Sequence, residues 1–476
     1  MRAFIQLTLL FAIAAASTVT NGQQPGPTPD LYSNETLENL KRVQNEALQS
    51  DYALKTTRYL TNNIGPRLSG SPQAERAVEF VAAEMRKLGL KVTMQEIMVP
   101  HWVRGLEKAE LVQFPGMAAG TTQRLSITAL GGSTATPEGG ITAEVVVVKD
   151  FAELAALGRA GVAGKIVFYN NEFRRDMARA GRSLEAYGLA GEYRRRGVLE
   201  ATKLGAVASI IRSAGSSENR LAHTGAQGVE RGLVTVPAAA VSFEDGELIA
   251  HLAKEGMLKM HLVLTPKTYP DKKSHNVLAD LEGSTHPDEI VVVGGHLDSW
   301  DLGTGALDDA VGVAMSMQVL KILKDLGIRP KRTIRMVAFM NEENGFRGAR
   351  KYAEDADILK HFAAIESDLG ASHPVGFQFA GREELAPFLQ PLADVLKTQD
   401  AGFMERKPNV SSDISLLTRQ GVPSFAPIYD TRTYFDYHHN AADTFDKVKP
   451  LELAENGSLV AVLAYGLANL EQPLPR

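Results

Sequence analysis

Hydrophobic residues near the start of the chain recur at helical spacing. Residues 35–50 and 74–90 carry apolar side chains three and four positions apart, which predicts two amphipathic helices. The loop 64–72 between them is rich in turn residues, and Gly89 supplies a stop signal for the second helix. Residues 91–98 then alternate between apolar and polar side chains, as expected of a strand. This order of elements predicts the start of an α/β layer structure.

The pattern changes near residue 125, where short apolar runs are separated by glycine-rich turns and small helices. We expect a second domain over residues 125–268. None of its residues forms an obvious catalytic set. It contains a local basic patch made by Arg174, Arg175, Arg179 and Arg182. A solvated surface is the favoured interpretation of this patch, and a carboxylate-binding role is the alternative.

Strand-like and helix-like segments alternate again from residue 275 onward. Predicted strands are 275–283, 289–295, 333–340 and 362–366, and predicted helices are 309–327, 345–355 and 451–470. The valine-rich run 290–293 is typical of a strand buried on both faces. This alternation predicts a mostly parallel sheet covered by helices on both faces, with functional sites beyond the carboxyl ends of the strands.

Composition indicates the compartment and excludes one class of partner. A chain of 476 residues with 44% hydrophobic and 22% charged residues is globular and long enough for two or three domains. A formal charge of -5 without a long basic block argues against nucleic-acid binding. Residues 1–22 have the positive start and short apolar segment of a signal peptide, so we expect an exported protein without stable membrane insertion. Cysteine is absent, which excludes disulfides and thiolate ligands.

Candidate chemistry begins directly after the valine-rich strand. A histidine and several carboxylates follow within one short stretch: His296, Asp298, Asp301, Asp308 and Asp309. Carboxylates this close repel one another unless a cation neutralises them, which indicates a metal site. A surface loop with capping aspartates is the alternative interpretation.

Other predicted strand ends carry similar side chains. Glu342 and Glu343 follow the strand 333–340, Asp368 follows 362–366, and His438 and His439 leave an aromatic segment. Taken singly, each pair is typical of an exposed helix start or surface loop. Because they meet at one edge of the predicted sheet, we expect them to form a common site.

These motifs resemble a known family. The chain is similar to the zinc-dependent exopeptidases with the aminopeptidase-type α/β/α fold through GHLDSWDLGTGALDD, NEENG, ESDLG, SSDISLLTRQGVP, HHNAADT and GPRLSGSP. The resemblance spans nearly the whole chain after the leader. It implies a three-layer α/β/α catalytic domain over residues 23–124 and 269–476, with an inserted protease-associated domain over 125–268.

The resemblance also implies the ligands of two zinc ions. Asp308 would bridge the ions, His296 and Asp368 would complete one site, and Glu343 and His439 the other. His439 is preferred to His438 because the family places this ligand four residues before the aspartate of an Asp-Thr pair. Bridging suits two ions about 3.5–4 Å apart, since a shared carboxylate offsets their repulsion. Zinc is favoured, with manganese and cobalt as alternatives.

Four neighbouring residues receive further roles. Asp298 is placed to accept the second imidazole N–H of His296. Glu342 is expected to be the general base that takes a proton from the activated water and returns it to the leaving amine. His438 is assigned to the developing oxyanion, with an ordinary packed histidine as the alternative, and Asp413 to the substrate cleft or to a loop brace.

We therefore expect an exported di-zinc exopeptidase that hydrolyses dipeptides or short peptides. Closeness of resemblance alone favours carboxypeptidase or dipeptidase activity over aminopeptidase activity, and it implies a homodimer. The alternatives are an aminopeptidase, a non-catalytic binding protein on the same fold, and an enzyme that cyclises amino-terminal glutamine. The complete set of ligands argues against a binding protein, and HLDSWD and the inserted domain argue against a cyclase.

Overall fold

The computed structural model describes residues 31–476, so the predicted signal peptide lies outside the described residues. The helices are α1 Asn34–Gln49, α2 Tyr52–Arg58, α3 Pro72–Lys87, α4 Phe151–Val162, α5 Arg175–Arg179, α6 Ser183–Lys203, α7 Phe243–Glu255, α8 Val311–Asp325, α9 Arg347–Asp355, α10 Ala386–Leu396, α11 Ser415–Arg419 and α12 Pro450–Ala468. Within this part of the chain, no helix combines the length and apolar character needed to cross a membrane.

The strands form two sheets of eight strands each. They are β1 Lys91–Val103, β2 Glu107–Gln113, β3 Gln123–Leu125, β4 Ile127–Ala129, β5 Ile141–Val148, β6 Ile166–Tyr169, β7 Ala208–Arg212, β8 Ala238–Val241, β9 Lys259–Leu264, β10 Lys267–Leu281, β11 His286–His296, β12 Arg332–Phe339, β13 His361–Glu366, β14 Pro374–Ala380, β15 Phe403–Arg406 and β16 Ser424–Tyr429.

The first sheet has the strand order β1-β10-β12-β11-β13-β16-β14-β15. Its central strands β12, β11, β13 and β16 are parallel, as predicted. The flanks are mixed, because β1, β10 and β12 pair antiparallel and β14 runs antiparallel to β16, whereas the outermost pair β14–β15 is parallel. The long β1–β10 ribbon explains the difference, because two extended segments far apart in sequence pair directly without a crossover helix.

Both faces of the central strand β11 are buried, which explains its continuous valine run. Val291 and Val293 belong to a core that includes residues of α1, α3, α8 and α12. Val292 points to the opposite face, where it joins a core with Tyr352 of α9 and Leu417 of α11. Helices therefore cover the first sheet on both sides, and β11 crosses its interior.

The second sheet has the order β3-β2-β9-β5-β6-β7-β8-β4. Strands β5 to β8 are parallel, and the remaining pairs are antiparallel. The sheet begins before the expected domain boundary at residue 125, because β2 (Glu107–Gln113) already pairs with β9. That pairing joins segments about 150 residues apart, so no local pattern in the sequence marks it.

One tryptophan links the loop after β11 to the second sheet. Trp300 is 3% exposed and packs in the same core as Trp102, Leu68 and apolar residues of β6 and β7. Gly131 lies against its ring: a Cβ there would stand 1.9 Å from Trp300 Cη2. The segment between His296 and Asp308 is therefore anchored in the core of the second sheet.

Candidate metal centre

Three neighbouring strands end at the same edge of the first sheet. Strand β11 ends at His296, which is in register with Phe339, the last residue of β12. On the other side, Gly294 of β11 is in register with Glu366, the last residue of β13. Glu342, Glu343 and Asp368 follow β12 and β13 within a few residues, so the topology brings them to this edge.

Asp308 lies between two imidazoles. Its Oδ1 is 3.1 Å from His296 Nε2, and its Oδ2 is 3.2 Å from His439 Nε2. Each imidazole nitrogen also faces a second carboxylate, since Asp368 Oδ1 is 3.1 Å from His296 Nε2 and Glu343 Oε2 is 3.0 Å from His439 Nε2. The five predicted ligands therefore form two groups that share Asp308.

This donor set is suited to cations. His296, Asp308, Glu343 and His439 are buried, and no lysine or arginine of residues 31–476 forms an ion pair with Asp308, Glu343 or Asp368. Buried carboxylates require positive partners. Burial lowers the pKa of His296, but Asp368 and Asp308 overcome that effect and raise it well above its ordinary value. The arrangement draws positive charge to the place where divalent ions would bind.

Two other aspartates of the first motif bind groups outside the proposed metal ligands. Asp309 binds main-chain N–H groups, and Asp301 binds an arginine that is distant in sequence. Asp309 accepts hydrogen bonds from the main-chain N–H groups of His296 (3.1 Å) and Gly312 (3.0 Å). Asp309 lies close enough to His296 and Asp368 to share an ion with them, but both its oxygens are already engaged, so Asp308 is the better ligand. Asp301 forms a salt bridge with Arg104 at 2.6 Å.

Asp298 contacts the second imidazole nitrogen of His296, as predicted, but through its main-chain carbonyl oxygen and not its carboxylate. His296 Nδ1 lies 2.9 Å from the main-chain carbonyl oxygen of Asp298. The Asp298 carboxylate points away and accepts hydrogen bonds from the N–H groups of Asn341 (2.7 Å) and Glu342 (3.1 Å) and from the Ser69 hydroxyl (2.9 Å). Asp298 thus orients the imidazole through its backbone, while its side chain positions the segment carrying Glu342.

Glu342 faces the pocket. Its carboxylate has no hydrogen-bond or ion-pair partner within residues 31–476, and burial raises its pKa well above the ordinary range. The pocket has a volume of about 440 Å³, and its lining includes Asp308, Glu343 and Asp368. Glu342 is therefore free to exchange a proton with a molecule in this pocket.

The two adjacent histidines differ in their contacts. Their rings stack with centroids 3.6 Å apart, but only His439 contacts both Asp308 and Glu343. His438 Nε2 is 3.6 Å from Asp308 Oδ2, and its Nδ1 is 3.1 Å from His223 Nε2. His438 lines the pocket, so its assignment to the oxyanion stays a prediction.

Asp413 does not line this pocket, which contradicts its assignment to the substrate cleft. Its side chain is 2% exposed, and its carboxylate oxygens have no hydrogen-bond partner. The reason is that the main-chain N–H groups of Asp413 and Ile414 donate to the Glu366 carboxylate, which directs this turn and its side chain inward. The bracing group is Glu366, which the sequence alone did not single out.

Two further positioning residues were missed. Arg67 is fully buried and donates to the carbonyl oxygens of Leu297, Thr304 and Gly305, so it holds the loop between the first two ligands. Asp443 accepts from the N–H groups of the turn 306–308, including that of Asp308. The motifs GPRLSGSP and HHNAADT contain these residues, but spacing does not reveal that they bind backbone.

Similar proteins identify the family. Peptidase family M28 matches residues 276–464. Carboxypeptidase Q from Rattus norvegicus is 40% identical over 88% of this chain and 85% of its own length, and that from Homo sapiens is 37% identical over the same shares.

Solved structures agree with this assignment. A peptidase M28 precursor from Shewanella amazonensis SB2B matches with a TM-score of 0.86 at 35% identity, covering 93% of this chain and 99% of that chain. A zinc aminopeptidase from Bacillus subtilis shares the fold, with a TM-score of 0.63 at 18% identity, over 89% of this chain and 98% of that one. The predicted resemblance is confirmed: the chain belongs to peptidase family M28 and is a metallopeptidase.

Proposed function

We propose that the protein is an exported di-zinc exopeptidase of the carboxypeptidase Q type that hydrolyses dipeptides or short peptides. The observation that carries this proposal is the pairing around Asp308, whose two oxygens face two separate histidine and carboxylate pairs. Beside these pairs, Glu342 presents an unpartnered carboxylate to the same pocket. The two groups that share Asp308 suit two ions, and the free carboxylate of Glu342 suits proton transfer.

The residues that would hold the ions are those of the two groups. His296 and Asp368 would bind one ion, Glu343 and His439 the other, and Asp308 both. When bound, zinc ions supply Lewis-acid polarisation of a carbonyl oxygen and lower the pKa of a water molecule to about 7. Nitrogen and oxygen donors of this kind also accept manganese or cobalt.

Glu342 would perform the proton transfers. Its carboxylate accepts a proton from the attacking water and delivers that proton to the nitrogen of the leaving amine. The Asp298 carboxylate supports this step by accepting from the Glu342 N–H, because the general base must stay within hydrogen-bond reach of the reacting atoms. His438, on the same wall, would donate a hydrogen bond to the developing oxyanion.

The second sheet would limit the length of the substrate. Helix α6 and residues 226–228 line the 440 Å³ pocket together with the proposed ligands. A pocket of this size suits a small ligand, because such sites typically measure about 300–1,000 Å³. We assign the second sheet to an inserted protease-associated domain, and we extend the proposal to export through the segment 1–22 and to a homodimer.

Glu342→Gln tests the mechanism. We expect the variant to bind zinc like the unmodified protein and to lose about 10²- to 10⁴-fold in kcat on dipeptides, because the amide cannot accept a proton. Zinc content by atomic emission and steady-state hydrolysis measure the two effects separately. Glu383→Gln, which alters an exposed glutamate, is the matched control and should change neither. Undiminished turnover would remove Glu342 from this role.

The same assay separates the alternatives. A zinc-loaded protein that cleaves none of the free, amino-blocked or carboxyl-blocked dipeptides would be a binding protein. Cleavage only of peptides with a free amino group would indicate an aminopeptidase. Release of ammonia from an amino-terminal glutamine peptide would indicate a cyclase.

A further inference from the structure

Arg194 of α6 is a buried cation in the pocket that the proposed mechanism does not use. Its side chain is part of the same pocket lining as Asp308, Glu343 and His439, and the residue is only 7% exposed. It comes from α6, which belongs to the region of the second sheet and not to the strand ends that carry the proposed ligands. Its position therefore places a positive charge beside the reacting groups.

The hydrogen bonds of Arg194 leave part of the guanidinium unused. Nη1 donates to Tyr187 Oη at 2.7 Å and to the Thr224 carbonyl oxygen at 3.3 Å, whereas Nε is buried without a hydrogen-bond partner. No carboxylate of residues 31–476 forms an ion pair with it. Because a buried charge is costly unless it is paired, this guanidinium requires an anion from outside the chain.

His439 cannot remain the hydrogen-bond acceptor of Arg194 once it binds a metal ion. Arg194 Nη1 lies 3.4 Å from His439 Nδ1, which would have to accept the hydrogen bond. If His439 binds an ion through Nε2, its Nδ1 carries the proton and donates to the Thr224 carbonyl oxygen, also at 3.4 Å. Metal binding would thus remove this acceptor and leave the guanidinium to a ligand.

The backbone makes room for the guanidinium at Gly225. A Cβ at this position would stand 2.2 Å from Arg194 Nη1 and 2.5 Å from its Cζ, too close for any other residue without displacement. The φ of Gly225 is +132°, which also favours glycine. The guanidinium of Arg194 therefore fits against the backbone at residue 225 only because glycine has no side chain.

The remaining charges of the pocket define the ligand. Its carboxylates are Asp308, Glu342, Glu343 and Asp368, and all are assigned to the ions or to proton transfer. No carboxylate of the pocket lining is left for a peptide ammonium group, while Arg194 and the exposed Arg195 have no carboxylate partner. A guanidinium binds a carboxylate through two parallel hydrogen bonds.

We propose that Arg194 binds the free α-carboxylate of the substrate and so selects the carboxyl end of the peptide. This inference rests on the proposed function, because it assumes a peptide at the metal centre. Arg194 acts on binding of the substrate terminus and transfers no proton.

The test compares a dipeptide that has a free carboxylate with the same dipeptide as its carboxyl amide. The unmodified zinc-loaded protein should prefer the acid. Arg194→Gln should lower kcat/KM for the acid about 10- to 100-fold, mainly through KM, and leave the amide unchanged, since one charged hydrogen-bonding pair is lost. Arg196→Gln, on the same helix but exposed and paired with Glu192, is the control that should keep the preference.

Two further measurements test the role of Arg194 in binding the carboxylate. Arg194→Lys retains the charge but not the planar fork, so it should show an intermediate preference for the acid. It replaces Arg194→Gln in the test if that variant does not fold. Calorimetric titration of the acid and the amide into zinc-loaded Glu342→Gln measures the same preference without turnover, and tighter binding of the acid supports the proposal.

Failure takes distinct forms. An equal loss for acid and amide with zinc retained would show that Arg194 only positions His439, which overturns the proposal. Equal binding of acid and amide to Glu342→Gln would overturn it as well. Absence of hydrolysis by the zinc-loaded protein, with the acid still bound more tightly than the amide, would instead overturn the proposed function and uphold the role of Arg194.

Discussion

The pocket has two walls of opposite charge and different construction. The wall from the first sheet carries carboxylates and imidazoles on loops that directly follow strands or precede α8. The wall from the second sheet's region carries Arg194 and Arg195 on α6 and the loop 226–228. The groups proposed for chemistry and the groups proposed for substrate recognition therefore come from separate parts of the fold.

The walls also differ in how firmly their side chains are held. On the acidic wall, Asp309, Asp298 and Asp443 each accept main-chain N–H groups and fix the turns that carry proposed ligands. On the basic wall, Arg194 is held mainly by one tyrosine hydroxyl and one carbonyl oxygen. Changes to the acidic wall should therefore remove activity, and changes to the basic wall should alter selectivity.

Asp308→Asn should have the largest effect. The substitution removes the charge shared by both groups, so we expect loss of bound zinc and turnover no greater than that of the metal-stripped protein. Zinc stoichiometry after dialysis measures it. Asp288→Asn, at the exposed start of β11, is the control that should retain both properties. Full zinc content in Asp308→Asn would contradict the bridging role.

Asp298→Ala should have the next largest effect on activity. The imidazole contact uses the main-chain carbonyl, so zinc should remain bound, while kcat falls about 10²-fold because the Glu342 segment loses its acceptor. Zinc content and kcat, measured on the same variant, separate loss of metal from loss of catalysis. Parallel loss of both would show that the Asp298 carboxylate also supports metal binding, which contradicts this division of roles.

Trp300→Ala should have a smaller effect on the chemistry but a large one on stability. Removing a buried aromatic ring should lower the free energy of unfolding by about 3–5 kcal/mol, measured by urea denaturation. Leu106→Ala, at a position 62% exposed, should change it by no more than about 0.5 kcal/mol. A loss of similar size in both variants would show that Trp300 does not link the two regions.

The proposed ligands of the acidic wall could be predicted where they follow the ends of buried strands. The buried strands β11 to β13 are visible as apolar runs, and parallel pairing brings their carboxyl ends together, so His296, Glu343 and Asp368 can be grouped from the sequence. Asp298 shows the limit, because proximity along the chain does not determine whether a carbonyl or a carboxylate meets the imidazole.

The basic wall and the second sheet were much less predictable. Residues 178–205 appear in the sequence as a charged helical segment followed by a packed helix, and the burial of Arg194 depends on the room that Gly225 leaves for it. Strand β2 joins the second sheet although it precedes the change of pattern at residue 125, because it pairs with a strand far along the chain. Both features arise from contacts between distant segments, for which local periodicity carries no signal.

The spread of the proposed ligands along the chain also bears on when the protein becomes an enzyme. His439 and its neighbour Asp443 lie near the carboxyl end, yet Asp443 binds the backbone of Asp308. Closing such long loops is slow, and contacts this distant in sequence form late in folding. A chain in which residues 438–443 have not yet folded against Asp308 should therefore have no peptidase activity, so activity should appear late in folding.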